Sequence, residues 1–309
     1  MGDDALQRIQ LGEVVESGAI ALGCMRMADV EIRDAEALVK TAFDQGIDLF
    51  DHADIYGEGA SEVVFGQVLK RNPGLRDKLL IQGKCSIRQG FYDASADHIL
   101  RSVDLSLQRL GVEKLDLLLL HRPDTLIEPE EVAEAFTTLQ RTGKVSYFGV
   151  SNYNSGQIAL LQKYVEQKLI VNQLQFSLAH TPLIDSGINV NVHSNHASDL
   201  AGQTLEYCRL HDITIQAWSP LQYGMFAGVF LGSPKYEELN QEIQVLADQY
   251  SVPNSAIAIA WIMRHPANMQ TIVGTTNGER LRDICAASRV RLTREEWYRL
   301  YLAAGNPLP

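Results

Sequence analysis

The chain is 309 residues long, 46% hydrophobic and 21% charged, a balance that excludes disordered and fibrous classes. Its formal net charge is −11 and no Lys/Arg cluster offsets this locally, which opposes nucleic acid as a partner while leaving room for a small anionic ligand. Four cysteines (Cys24, Cys85, Cys208, Cys285) lie far apart with no C-x-x-C pair, so buried reduced thiols are expected and neither a disulfide framework nor a zinc site.

The opening segment, 1–10, is polar and acidic with no basic-then-apolar leader pattern, and the longest apolar run, Leu115–Leu120, falls far short of the ~20 residues of a membrane span. A cytoplasmic protein with no membrane association is therefore expected. Residues 9–15, with Gly12 at the centre, read as a short β-hairpin that closes the floor of whatever follows. After it, β-rich apolar runs recur at 19–24, 47–51, 79–84, 115–121, Val145–Ser151, 170–176, 213–219 and 269–274. Between them lie helical patterns at 34–45, 61–70, 94–110, 129–142, 155–167, 200–210 and 253–264, with Gly46, Gly111 and Gly143 where helix-ending glycines belong. The stretch 179–198 reads as a long loop over the mouth, carrying His180, His193 and His196 at a spacing that is not a helical metal pair.

Eight strand–helix alternations imply parallel pairing and an α/β (β/α)8 TIM barrel, and barrels of about 250 residues or more fold as one domain, here expected over 1–309. An open doubly wound sheet would carry G-x-G-x-x-G after its first strand. The nearest match, Gly57–Glu58–Gly59–Ala60–Ser61–Glu62, lacks the third glycine and follows the second run.

In such a barrel the reacting groups sit at the C-terminal ends of the strands. Asp51 ends the second run with Tyr56 close behind it, Lys84 ends the third, and His121 ends the fourth. A Tyr–Lys–Asp chain makes a proton donor: the ammonium is expected to lower the tyrosine's pKa, and the carboxylate to keep the lysine charged. A neighbouring histidine can orient a substrate oxygen. Taken singly, each has an ordinary role as a solvated charge, a cap or a rim aromatic. Together, at corresponding ends of successive strands, they point to catalysis.

These residues resemble the aldo-keto reductase family. The resemblance runs through 48–57 (Asp48-Leu-Phe-Asp51-His-Ala-Asp-Ile-Tyr56-Gly57), Ser61–Glu62, Gly83–Lys84, His121–Arg122–Pro123, Gly149–Val150–Ser151–Asn152, Asn172–Gln173, Trp218–Ser219–Pro220–Leu221 and Val273–Gly274–Thr275. It implies reduction of aldehydes or ketones by hydride from NADP(H), with Tyr56 as general acid, Lys84 and Asp51 tuning it, and His121 orienting the carbonyl. It further implies that Ser151, Asn152 and Gln173 hydrogen-bond the nicotinamide carboxamide and that Trp218 stacks on its ring. Ser219 and Leu221 would then follow the pyrophosphate, and Gly274, Thr275, Thr276, Asn277 and Arg280 would hold the adenosine end. Gly23 and Met25 complete the expected cofactor contacts, with Arg26 and Met27 at the same mouth. No metal is implied. Where Gly274 stands, many family members carry a lysine. Two alternatives stand beside this reading: a cofactor-loaded regulatory subunit, and a Schiff-base aldolase acting through Lys84.

Overall fold

The computed structural model describes residues 6–309; positions 1–5 of the polar opening segment lie outside the described residues. Eight strands, β1 (Ile20–Gly23), β2 (Leu49–Asp51), β3 (Leu80–Cys85), β4 (Leu115–Leu120), β5 (Val145–Ser151), β6 (Leu169–Gln175), β7 (Thr214–Trp218) and β8 (Gln270–Val273), pair in parallel around a closed barrel in chain order. Each falls on one of the expected apolar runs. Parallel strands in a barrel are covered on both faces, and β4 is buried along its whole length. Asp116 sits inside that apolar run because its carboxylate has partners: it accepts the Ile81 backbone N–H at 2.8 Å and pairs with Arg76 at 2.9 Å.

The expected helices form at Ile32–Asp44, Ala60–Arg71, Ala96–Leu110, Pro129–Arg141, Ser155–Tyr164, Thr204–Leu210 and Asn254–Met263. Gly111 takes the left-handed conformation at the end of its helix, as expected. Three further helices were not expected. Pro182–Ile188 forms inside the segment read as a loop, started by its own proline and held by Leu183 and Ile184 in the core and by the Tyr301 hydroxyl, which donates to Asp185 at 2.8 Å. Glu237–Tyr250 buries Leu239, Ile243 and Leu246 on one narrow face. Arg294–Ala303 starts from a capping box, Thr293 with Glu296, and stacks Trp297 on Trp261 with ring centres 4.7 Å apart.

The N-terminal hairpin pairs Arg8–Leu11 with Val15–Gly18, somewhat wider than 9–15, and turns at Gly12 and Glu13, both with φ near +60°. It plugs the N-terminal end of the barrel: Ile9, Leu11 and Val15 pack with Leu49, Leu117, Leu119 and Ile170 in an inner cluster. The Gly12 amide donates to the Thr214 hydroxyl at 3.0 Å, fixing the turn to the foot of β7. No side chain fits at Gly12, because an added Cβ would stand 2.3 Å from the Cβ of Ile170 while the backbone keeps φ at +55°.

Gly12→Ala is therefore expected to destabilise the protein by about 1–3 kcal/mol, read as a lowered melting temperature. An unchanged melting curve would show that the hairpin does not bear on the barrel floor as described.

Candidate active site

Asp51, Lys84 and Tyr56 come together at the C-terminal mouth because β2 and β3 are register neighbours, Asp51 standing opposite Gln82. The Lys84 ammonium, wholly buried, meets Asp51 Oδ1 at 2.5 Å and lies 5.1 Å from the centre of the Tyr56 ring. Burial opposes the lysine's charge, but Asp51 and Tyr56 more than compensate and its pKa is raised. A neutral, nucleophilic Lys84 is thereby disfavoured, which weighs against the imine alternative.

Tyr56 departs from expectation in sign. Lys84 does pull its pKa down, but burial pushes harder and the phenol ends at about 12. The group therefore holds its proton across the physiological range. Its position is fixed by the turn that follows, where Gly57 takes φ +57° and an added Cβ would overlap the Cβ of Ala28 at 2.4 Å. His121, its ring centre 6.0 Å from that of Tyr56, is neutral: burial lowers its pKa well below 6.5, and Lys84 and Arg122 lower it further. Ser86, at a strained φ of +93°, accepts the His121 backbone N–H at 3.2 Å and so seats the histidine.

Two adjoining concavities meet at Tyr56. A cleft of about 780 Å³ runs from Tyr56 and Asp51 outward, and Gly23, Met25, Gln173, Trp218, Ser219, Leu221, Gly274, Thr275, Thr276, Asn277 and Arg280 all line it. A pocket of about 440 Å³ lies on the other side of Tyr56, lined by His121, Ser151, Asn152 and, among others, Met25, Ile55, Tyr92 and Phe226. The site residues expected from the sequence thus border one of these spaces, except Lys84, which lies beneath Tyr56, and Met27, which turns away from the mouth and is buried in the core.

Local bonding refines several expected roles. Ser151 and Asn152 do not cap the following helix; Asn154 does, through a capping box with Gln157. Ser151 instead donates to the Gln173 carbonyl at 2.9 Å, and Asn152, at φ +63°, donates to the Ser151 hydroxyl and accepts from the Trp218 indole at 3.1 Å. This chain sets the plane of Trp218 at the cleft wall. At the far end, Asn277 caps the helix Gly278–Cys285 by accepting the Glu279 and Arg280 amides, so two of that helix's first-turn N–H donors are already used. An anion there meets side chains, Arg280 and Thr276 among them. Arg26 spans the cleft from the β1 side and donates to the Gly274 carbonyl at 2.9 Å.

Sequence reasoning missed the support beneath Asp51. Gln82 and Gln173 both donate to Asp51 Oδ1, at 2.6 and 3.1 Å. Both also donate to Gln216 Oε1, while Gln216 donates to Gln82 and to Gln270. Gln270 passes the chain to Ser17 and the Gly18 carbonyl, and Ser17 donates to Asp48, which pairs with Arg8 at the barrel floor. With both amide protons of Gln173 engaged, its Oε1 has no partner among the described residues and is left to accept from a ligand in the cleft. The signal was in the sequence: glutamines inside strand runs that are otherwise apolar.

Among the described residues no group of three or more His, Cys, Asp or Glu side chains gathers as a metal site, and no helix is long and apolar enough to cross a membrane. His196 lies beside Asp185, whereas His180 faces a small side pocket.

A family model described as the Aldo/keto reductase family matches residues 19–301. Over 313 residues the chain is 36% identical to a 6-dehydroglucose reductase of Agrobacterium fabrum, covering 97% of this chain and 98% of that one. It is 33% identical to the oxidoreductase YdhF of Escherichia coli, with the same coverage. Its fold is similar to the crystal structure of an aldo-keto reductase from Klebsiella pneumoniae in complex with NADPH: TM-score 0.78, 25% identity, 99% of this chain and 97% of that one covered.

The electrostatics make a direct prediction for the histidines. His52, buried against Phe65, has its pKa lowered to about 3 by burial first and Lys84 second, and His121 is lowered for the same reasons. Both imidazoles are expected to keep neutral ¹⁵N NMR shifts from about pH 8 down through the ordinary histidine midpoint of about 6.5. Protonation of His121 near that midpoint would contradict the burial described.

Proposed function

The chain belongs to the aldo/keto reductase family, and from that premise we propose that it is a cytoplasmic, single-domain enzyme reducing an aldehyde or ketone to an alcohol with NADPH, Tyr56 giving up the proton. The observation that carries the reading is the arrangement at Tyr56: a phenol that keeps its proton, over a buried ammonium, at the junction of a long cleft and a compact pocket.

The cleft has the features a dinucleotide requires. Trp218 offers an aromatic face at its inner end, Gln173 Oε1 a free acceptor for a carboxamide N–H, and Gly274 backbone that is open to close approach. Arg280, with Thr276 and Asn277, lines the outer end, where a 2′-phosphate would lie. Ser219 and Leu221, which line the cleft together with Arg26, would hold the pyrophosphate. When bound, NADPH supplies the hydride.

Everything else falls to the chain itself. His121, neutral, offers an N–H to the carbonyl oxygen and holds it against Tyr56. As negative charge develops on that oxygen, Tyr56 transfers its proton, and Lys84 stabilises the phenolate left behind. Asp51 keeps Lys84 charged, and the amides of Gln82 and Gln173 keep Asp51 in place. The regulatory-subunit alternative leaves this proton-donor assembly without a purpose.

Tyr56→Phe is expected to lower kcat about 10²–10⁴-fold while NADPH affinity, followed by Trp fluorescence, stays near that of the parent; loss of NADPH binding would mean the phenol acts on the cofactor. Gln82→Leu removes one donor from Asp51 and is expected to lower kcat roughly tenfold with the KM for NADPH little changed. An unaltered kcat in a folded Gln82→Leu protein would show that the amide chain is only structural.

A further inference from the structure

We propose that the carbonyl substrate carries an anionic group, a carboxylate or a phosphate, and that Arg122 and Gln175 hold it in a side pocket next to the catalytic one. The proposal rests on the reductase reading above and adds the substrate class.

The side pocket, about 260 Å³, opens between the ends of β5 and β6 and the segment 182–204. It shares Arg122, Asn152, Trp218 and Met225 with the pocket that holds Tyr56 and His121, so one molecule can reach both. Not one aspartate or glutamate lines either space. In a chain with 38 acidic against 27 basic side chains, two adjoining cavities with no carboxylate and one guanidinium form a local exception to the overall charge.

Arg122 is half-buried, and its guanidinium carbon lies 5.8 Å from the centre of the Trp218 ring. No carboxylate pairs with it among the described residues. The nearest acid in sequence, Asp124, is engaged elsewhere: its oxygens accept the Ala94 and Leu126 backbone N–H groups at 3.2 and 2.8 Å. A partly desolvated guanidinium with no counter-ion is poised for a planar anion, which it can grip with two N–H groups.

Gln175, at the end of β6, supplies an independent observation. Its Nε2 is buried and finds no acceptor, and the residue lines the same side pocket. Two donors of different kinds, Arg122 in the loop after β4 and Gln175 at the end of β6, are thus left unmatched at one cavity; an oxyanion would match both. His180 and Thr204 also border this space. Across the shared wall the catalytic pocket is largely apolar, with Met25, Ile55, Ile87, Tyr92 and Phe226, and suits the carbon skeleton between the carbonyl and the anion.

The test compares matched substrates in the same protein preparation: 4-carboxybenzaldehyde against methyl 4-formylbenzoate, and D-glyceraldehyde 3-phosphate against D-glyceraldehyde, each with NADPH. In the parent enzyme the anionic member of at least one pair is expected to show a kcat/KM higher by roughly tenfold or more. The pair that responds identifies the anion as carboxylate or phosphate. In Arg122→Met that ratio should fall to near parity, and in Gln175→Leu it should fall part of the way. Because each ratio is taken within one protein, partial misfolding of a variant cancels. Parity in both pairs for the parent, or a preference that survives Arg122→Met, would overturn the proposal while leaving the reductase reading intact. No NADPH oxidation with any of the four aldehydes would overturn that reading and this proposal with it.

Discussion

A carboxylate placed near the axis of a barrel has to be surrounded by donors, and the rest of the site follows from how Asp51 meets that demand. Burying an unpaired charge is prohibitive, so the position is tolerable only with an ion pair and further hydrogen bonds. Lys84, Gln82 and Gln173 supply them, all on Oδ1. Amide side chains can donate at one end and accept at the other, and Gln216 and Gln270 use this to carry the demand from the mouth to the floor. Gln173, Gln216 and Gln270 are register partners on β6, β7 and β8, so one layer of the barrel interior is amide where an ordinary barrel is aliphatic. The chain ends at the hairpin, where Ser17 and Asp48 receive it. The plug at the floor and the proton donor at the mouth are therefore parts of one hydrogen-bonded column.

That column sets the ionisation states on which the chemistry depends. Asp51 keeps Lys84 charged in a place where burial alone would neutralise it. Burial, reinforced by that ammonium, keeps His121 and His52 neutral, and the ammonium stands ready beneath a phenol that has not yet lost its proton. A charged, buried lysine next to a protonated tyrosine has its largest effect when phenolate forms, so its stabilisation is concentrated in the transition state. The acidic surface of the chain plays no part in this; the cleft and pockets form their own electrostatic surroundings.

Much of this was legible in the sequence because barrel chemistry gathers at one kind of position. Eight apolar runs gave the strands, and the polar residues just after them gave Asp51, Tyr56, Lys84, His121 and most of the cleft lining. What could not be read were effects that need three dimensions. The sign of the tyrosine shift depends on how deeply Tyr56 is buried, which no spacing reveals. The glutamines lie at scattered positions, 82, 173, 216 and 270, and become neighbours only when the strands close. The helices Pro182–Ile188 and Glu237–Tyr250 were missed because their apolar stripes are short or thin and rely on tertiary partners such as Tyr301. The open Gly274 position, lacking the lysine common in the family, is approached instead by Arg26, a contact from the opposite end of the chain.

The central claim is that Tyr56 stands between a dinucleotide cleft and a carbonyl pocket. It is tested most directly by titrating the protein with NADPH and with NADH, following Trp emission, and then adding a simple aromatic aldehyde in the same cuvette. Quenching at micromolar NADPH, followed by loss of the reduced-nicotinamide absorbance once the aldehyde is present, is the predicted result. Failure of either dinucleotide to bind would contradict the assignment of the cleft, and with it the account of what the Asp51 column supports.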